Sequence, residues 1–171
     1  MINKESDYFW YMRQENNDVD VEPSQENLRE RFQQETCKFQ MRVTILKPVS
    51  FGAETLKADI CNGCGALHGE LVFVNSFVKV IDGFPFPIVE TFTSTLITKQ
   101  EEHRFEYFVA GIGKYTVTGQ PEITTAGFNL HISKFDNYNL VDLVLTNELP
   151  IPTVILASYR YNTAITELKR C

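Results

Sequence analysis

The chain has 171 residues and a formal net charge of −6, with 43% hydrophobic and 12% aromatic residues. That length accommodates one domain with a core of its own plus a tail, and the composition excludes a disordered chain. Residues 1–35 carry 4 basic and 9 acidic side chains against 12 and 13 in the remainder, so the acidity sits at the N-terminal end and the general basic footprint of a nucleic-acid binder is absent. No sequence-specific nucleic-acid binding is expected.

Met1 leads into charged and aromatic side chains without the apolar region of a signal peptide, and no apolar run nears the ~20 residues of a membrane span. Four cysteines, two of them three residues apart, are too sparse for a disulfide scaffold. Free thiols in a reducing cytosol are the expectation.

In chain order, residues 1–22 read as a mobile acidic arm carrying one aromatic knot, Tyr8-Phe9-Trp10-Tyr11-Met12. The knot either folds back on the domain or docks a partner, since clustered exposed aromatics mark a contact surface. Residues 23–171 form the domain. Pro23-Ser24 opens a short helix to about residue 35, with Ser24 as N-cap and Leu28 and Phe32 as a narrow apolar stripe. Residues 37–46 alternate cleanly: Phe39, Met41, Val43 and Ile45 point one way, Lys38, Gln40, Arg42 and Thr44 the other, as in a half-exposed strand. Residues 52–61 suit a short helix, with Leu56 and Ile60 on one side and Asn62-Gly63 as its stop.

The centre of the sheet is expected in two β-rich arms, residues 71–81 and 87–98, joined by Asp82-Gly83-Phe84-Pro85-Phe86. Asp-Gly supplies the positive φ of a tight reversal, and the two prolines, lacking N–H donors, are expected to end the ladder. In the second arm Ile88, Glu90, Phe92, Ser94, Leu96 and Thr98 share one face. Strands follow at 104–110 and 114–118, parted by a bend at Gly111-Ile112-Gly113, then at 127–135 and 140–145 around Asp136-Asn137-Tyr138-Asn139. Pro150 and Pro152 break the ladder before a strand at 154–161 and a short terminal helix at 163–169. The expected class is α+β: mostly antiparallel β-sheet with two or three short helices.

Chemistry is sparse in this pattern. Cys61-x2-Cys64-x3-His68 offers three zinc-type ligands, but Cys37, Cys171, His103 and His131 lie at no diagnostic spacing for the fourth. A buried Cys61 followed by small residues in a tight turn is the simpler account, so no metal or other cofactor is assigned. The three histidines lie in separate elements, no Gly-x-Ser-x-Gly or His-Glu-x-x-His occurs, and Gly111-Ile112-Gly113 is too short to cradle phosphate. No catalytic residue is assigned and the protein is not expected to be an enzyme. The loop with Phe84, Pro85 and Phe86 is apolar where turns are polar, so it either caps the core or contacts a membrane or a subunit.

Several segments together carry a resemblance: the strand with Met41-Arg42-Val43-Thr44-Ile45, a short helix ending in glycine, the apolar run His68-Gly69-Glu70-Leu71-Val72-Phe73-Val74, and Gly127-Phe128-Asn129-Leu130-His131-Ile132 paired with Asp142-Leu143-Val144-Leu145-Thr146. Over about residues 37–147 this order resembles the matrix proteins of rhabdoviruses. The resemblance implies a non-enzymatic viral structural protein of the host cytoplasm and the virion. Such a protein forms homo-oligomers and links the nucleocapsid to the membrane during assembly. The chain departs from that family in its acidic arm and in lacking Pro-Pro-x-Tyr. Peripheral membrane contact would therefore fall to Phe84 and Phe86 or to Tyr8, Phe9, Trp10 and Tyr11. The alternative function is a small β-barrel or sandwich that binds an apolar ligand among Phe73, Phe77, Phe92, Phe105 and Phe108.

Overall fold

Alternation, with a period of two, governs most of the described strands from Phe39 onward. The computed structural model describes residues 35–147, 154–163 and 166–171. These form nine strands: β1 Phe39–Val49, β2 Gly52–Ile60, β3 Gly69–Ile81, β4 Phe84–His103, β5 Glu106–Val117, β6 Ile123–Lys134, β7 Asn139–Asn147, β8 Val154–Thr163 and β9 Thr166–Arg170. They make one antiparallel sheet in the order β8-β7-β6-β5-β4-β3-β2-β1-β9, a meander apart from its last strand.

The class is therefore all-β, and the α+β expectation is corrected: no helix occurs among the described residues. Residues 52–60 are β2, between β1 and β3. Leu56 and Ile60, four apart, fit a helix face and a strand face equally well. Ala58 between them, buried like both of them, shows the period of two. The terminal segment is β9, paired with the start of β1. The helix expected over 24–35 lies outside the described residues except for Glu35. The glycine-ended helix that entered the matrix-protein resemblance is thus β2 and the turn after it.

A single sheet with one apolar face has to cover that face itself, and this one does so by curling into a half-barrel. Phe39, Met41, Val43, Phe73, Phe92, Phe128, Leu130 and Leu143 from across the sheet fall in one core cluster. Strands far apart in the sheet order meet inside it: the Phe73 and Tyr159 rings are 4.4 Å apart and those of Phe39 and Tyr107 5.2 Å. The buried Gln100 amide, from β4, accepts from Lys38 N–H at 2.9 Å and donates to Phe39 O at 3.0 Å, supplying β1 with ladder partners beyond the end of β2. β8 and β9 sit on opposite edges of the sheet, yet only two residues separate Thr163 from Thr166. Three chain steps reach roughly 10 Å, so the edges must converge at that end.

Curvature is built into β4 and β5. Register shifts between Thr93/Leu96 and Ile97/Lys99 leave both Leu96 and Ile97 buried, which breaks the simple alternation expected for this strand. Opposite them, the residues read as a bend lie inside an unbroken β5, where Gly111 and Gly113 make room for the Phe128 and Phe92 rings. A Cβ on Gly111 would stand 2.3 Å from Leu96 O and 2.4 Å from the Phe128 ring. Gly111→Ala is expected to lower stability by about 1–3 kcal/mol through this overpacking. Urea denaturation of the variant beside the wild type checks it.

Candidate functional site

The β3–β4 hairpin is the central pair, as expected, but its ladder continues through both prolines. Val78 pairs Pro87, Val80 pairs Pro85 and Ile81 pairs Phe84, around a two-residue turn at Asp82 (φ 50°) and Gly83 (φ 83°). Proline is tolerated because this part of β4 is an edge: β5 pairs only as far as Glu90, so an N–H missing on that side deprives no neighbour. On the other side β2 ends opposite Ser76. Residues 77–88 therefore project as a two-stranded arm. Phe84 and Val80 are 68% and 67% exposed, and Val78, Ile81 and Phe86 are exposed as well. Lys79 and Asp82 are the arm's only charges. Phe84, Pro85 and Phe86 are exposed and do not fold over the core. Tyr8, Phe9, Trp10 and Tyr11 lie outside the described residues.

Where the arm meets the half-barrel, the inner face turns polar. The Glu90 carboxylate accepts from Tyr159 Oη, from Asn75 Nδ2 at 3.0 Å and from Tyr115 Oη at 3.5 Å. Burial first, then Glu90, pushes the Tyr115 phenol up to about 12, and the same causes raise Tyr159 further. The Tyr161 hydroxyl is buried nearby and makes no well-formed hydrogen bond among the described residues. The network ties β3, β4, β5 and β8 together at the root of the arm. Tyr159→Phe should cost about 1.5–3 kcal/mol in urea denaturation, the range for a hydrogen bond to a charged acceptor, and Tyr115→Phe, with its longer contact, less.

The opposite end of the half-barrel holds all four cysteines. The expectation of free thiols is corrected: Cys37 pairs with Cys61 and Cys64 with Cys171. The three-residue ligand set read from spacing is also divided. Cys61 and Cys64 flank a turn with positive φ at Cys61, Gly63, Cys64 and Gly65, which sends their side chains apart. Cys64 Sγ meets Cys171 and accepts from Gln40 Nε2 at 3.1 Å. Cys61 stays beside Cys37 and His68, and the ligand atoms of these three lie within 4.8 Å of one another.

On the outer face, His131 stacks on Phe108 with centroids 4.3 Å apart and planes 2° apart. Ser133 Oγ is 3.3 Å from its Nε2, and Asp142 Oδ2 is 4.0 Å from its Nδ1. Reading the histidines as isolated missed this grouping, which only the β5–β6–β7 register brings together. It lacks the geometry of a nucleophilic centre: the aspartate is beyond hydrogen-bond reach and is engaged by Arg160 at 2.6 Å and 3.3 Å. Burial lowers the His131 pKa, against the opposing pull of Glu106 and Asp142. A base depressed in the fold contributes stability above its unfolded value near 6.5 and loses it as pH falls from there toward the folded value. Between about pH 7.5 and 5.5 the urea midpoint of the wild type should therefore fall further than that of His131→Gln.

The interior named for an apolar ligand is only partly internal. Phe73 and Phe92 are buried in the packed core, whereas Phe105 is 68% exposed, Phe108 lies outside against His131, and Phe77 stands at the root of the arm. Two open surface clefts are seen among the described residues, one lined in part by Arg42, Lys57, Asp59 and Glu70, the other by Gln40, Asn62 and Glu167. No helix among the described residues is long and apolar enough to cross a membrane. No protein-family model matches the chain, and neither a curated protein nor a solved structure does.

Proposed function

We propose that this is a non-enzymatic assembly protein that binds a second copy of itself through the β3–β4 arm. The observation that carries the reading is the arm: residues 77–88 extend past both neighbouring strands and leave Val80, Ile81, Phe84 and Phe86 uncovered. Contiguous exposed apolar surface of this kind marks an interaction site.

The chemistry of the arm favours a second copy over a lipid surface. Its one cation and one anion, Lys79 and Asp82, make it neutral. A two-fold pairing sets Lys79 of one copy against Asp82 of the other, whereas an anionic bilayer finds a single lysine worth about 1 kcal/mol. Open-ended ladder growth is blunted by Lys79, Pro85 and Pro87 on the strand edges, so the contact runs through side chains and closes as a symmetric pair. The wider setting we propose is the matrix-type role in the host cytoplasm and the virion, in which self-association accompanies contact with nucleocapsid and membrane. The resemblance of the strand segments within residues 37–147, without the helix that proved to be β2, supports that setting.

Sedimentation velocity of the full chain at low salt tests the reading. Wild type should associate, and Phe84→Asp with Phe86→Asp should weaken association by roughly 100-fold or more, since each buried Phe contributes about 1.5–3 kcal/mol. A wild type that stays monomeric at high concentration overturns it. Co-sedimentation of the monomer with neutral or anionic vesicles, lost in the double variant, would replace the second copy by lipid.

A further inference from the structure

We propose that Cys37, Cys61 and His68 form a redox-gated site for a borderline or soft divalent cation such as Zn²⁺, closed while the Cys37–Cys61 disulfide stands and opened by its reduction. Three ligands of the kinds zinc prefers converge here: two sulfurs and one imidazole, all within 4.8 Å. Around a tetrahedral zinc, with bonds of ~2.3 Å to sulfur and ~2.0 Å to nitrogen, neighbouring ligand atoms lie roughly 3.5 Å apart. Cys37 Sγ and His68 Nδ1 are already 3.8 Å apart.

The placement of these ligands does not depend on the disulfide alone. Cys61 N–H donates to His68 O at 2.9 Å, Cys37 N–H to Gly65 O at 2.8 Å, and Leu67 N–H to Glu35 O at 2.7 Å. Those backbone bonds keep the 61–68 loop against the lead into β1 when the sulfurs part. Cys61 is fully buried and Cys37 nearly so, while His68 is exposed. A cation or a small reductant can therefore approach the sulfurs past the imidazole. With three protein ligands the fourth position falls to water, as in open zinc sites. Ala66 O, 2.7 Å from His68 Nδ1, is the hydrogen-bond partner the ring gives up when that nitrogen turns to the metal.

The chemistry balances with a phosphine or dithiol reductant. A phosphine attacks one sulfur and the S–S bond breaks. Water then supplies the oxygen of the phosphine oxide and the two protons of the resulting thiols. Binding of the dication releases those two protons as the thiols become thiolates. The Cys64–Cys171 pair takes no part, because its sulfurs lie outside the three-ligand group.

The test uses the full chain, reduced anaerobically with a phosphine and titrated with Co²⁺, then Zn²⁺. The expected result is one Co²⁺ per reduced chain with the visible bands of tetrahedral thiolate coordination, bleached by Zn²⁺, and none for the oxidised protein. His68→Ala, a surface change, should weaken Co²⁺ binding by at least about tenfold, in line with loss of a zinc ligand or its close support. Cys64→Ser with Cys171→Ser should bind as the wild type does. Absence of bands in the reduced wild type, unchanged binding in His68→Ala, or loss of binding in the Cys64/Cys171 variant would each overturn the assignment. Circular dichroism of each reduced variant separates lost ligation from lost fold.

Discussion

One sheet with one apolar face and no second layer among the described residues has a single way to remove that face from water, which is to roll it inward. The details of the chain serve that constraint. Bulges in β4 and bare glycines in β5 bend the middle of the sheet where the Phe92 and Phe128 rings need space. The Gln100 side chain stands in for backbone partners at Lys38 and Phe39, where β1 begins and β2 has run out. The short link from β8 to β9 then ties the two far edges, and the Cys64–Cys171 bond, 107 residues apart in sequence, holds the last strand in place. In the loop-entropy account a link over so long a loop stabilises more than the Cys37–Cys61 link, which spans 24 residues.

Rolling also sorts chemistry to the two ends. β3 and β4 are the longest strands and lie mid-sheet, so when the sheet curls they overshoot one rim and form the arm. The inner face at that rim cannot remain apolar where it approaches solvent, and there Asn75, Glu90, Tyr115 and Tyr159 satisfy one another. At the other rim the strands start or finish beside the 61–68 turn, which collects the cysteines.

The strands with clean alternation were legible from sequence. Phe39, Met41, Val43 and Ile45 are all buried on one face of β1, and the hairpin between β6 and β7 stands where Asp136 to Asn139 was read as a turn. β2 was not legible, because a four-residue spacing of apolar side chains satisfies both periods and only its partners decide. That error hid the disulfide too. With 52–60 as a helix, nothing places Cys37 beside Cys61. With β1 and β2 paired as Met41 to Ile60, Cys61 lies one residue and Cys37 four residues beyond the same end of the ladder, close enough for the chain to bring them together. The exposed Phe84 and Phe86 were legible as an anomaly, since apolar residues at a turn have no local reason. The His131 grouping had no local signal, because its members come from strands whose register is set by packing.

The arm and the cysteine rim stand at opposite ends of β3, whose 13 residues span roughly 40 Å at ~3.3 Å per residue. That is several Debye lengths at physiological salt, so charge gained or lost at Cys37, Cys61 and His68 is screened before it reaches Phe84. Any coupling between the two has to pass through the ladder. Glu90 and Asn75 sit at the midpoint of that path and hold β3 and β4 to β8. An arm rooted in this network stays rigid whether the far rim is oxidised or reduced, because its nearest supports are hydrogen bonds between β3, β4, β5 and β8, none of which a thiol exchange touches. The fold thus keeps an adhesive element and a redox-sensitive element on one strand pair with little reason for either to disturb the other.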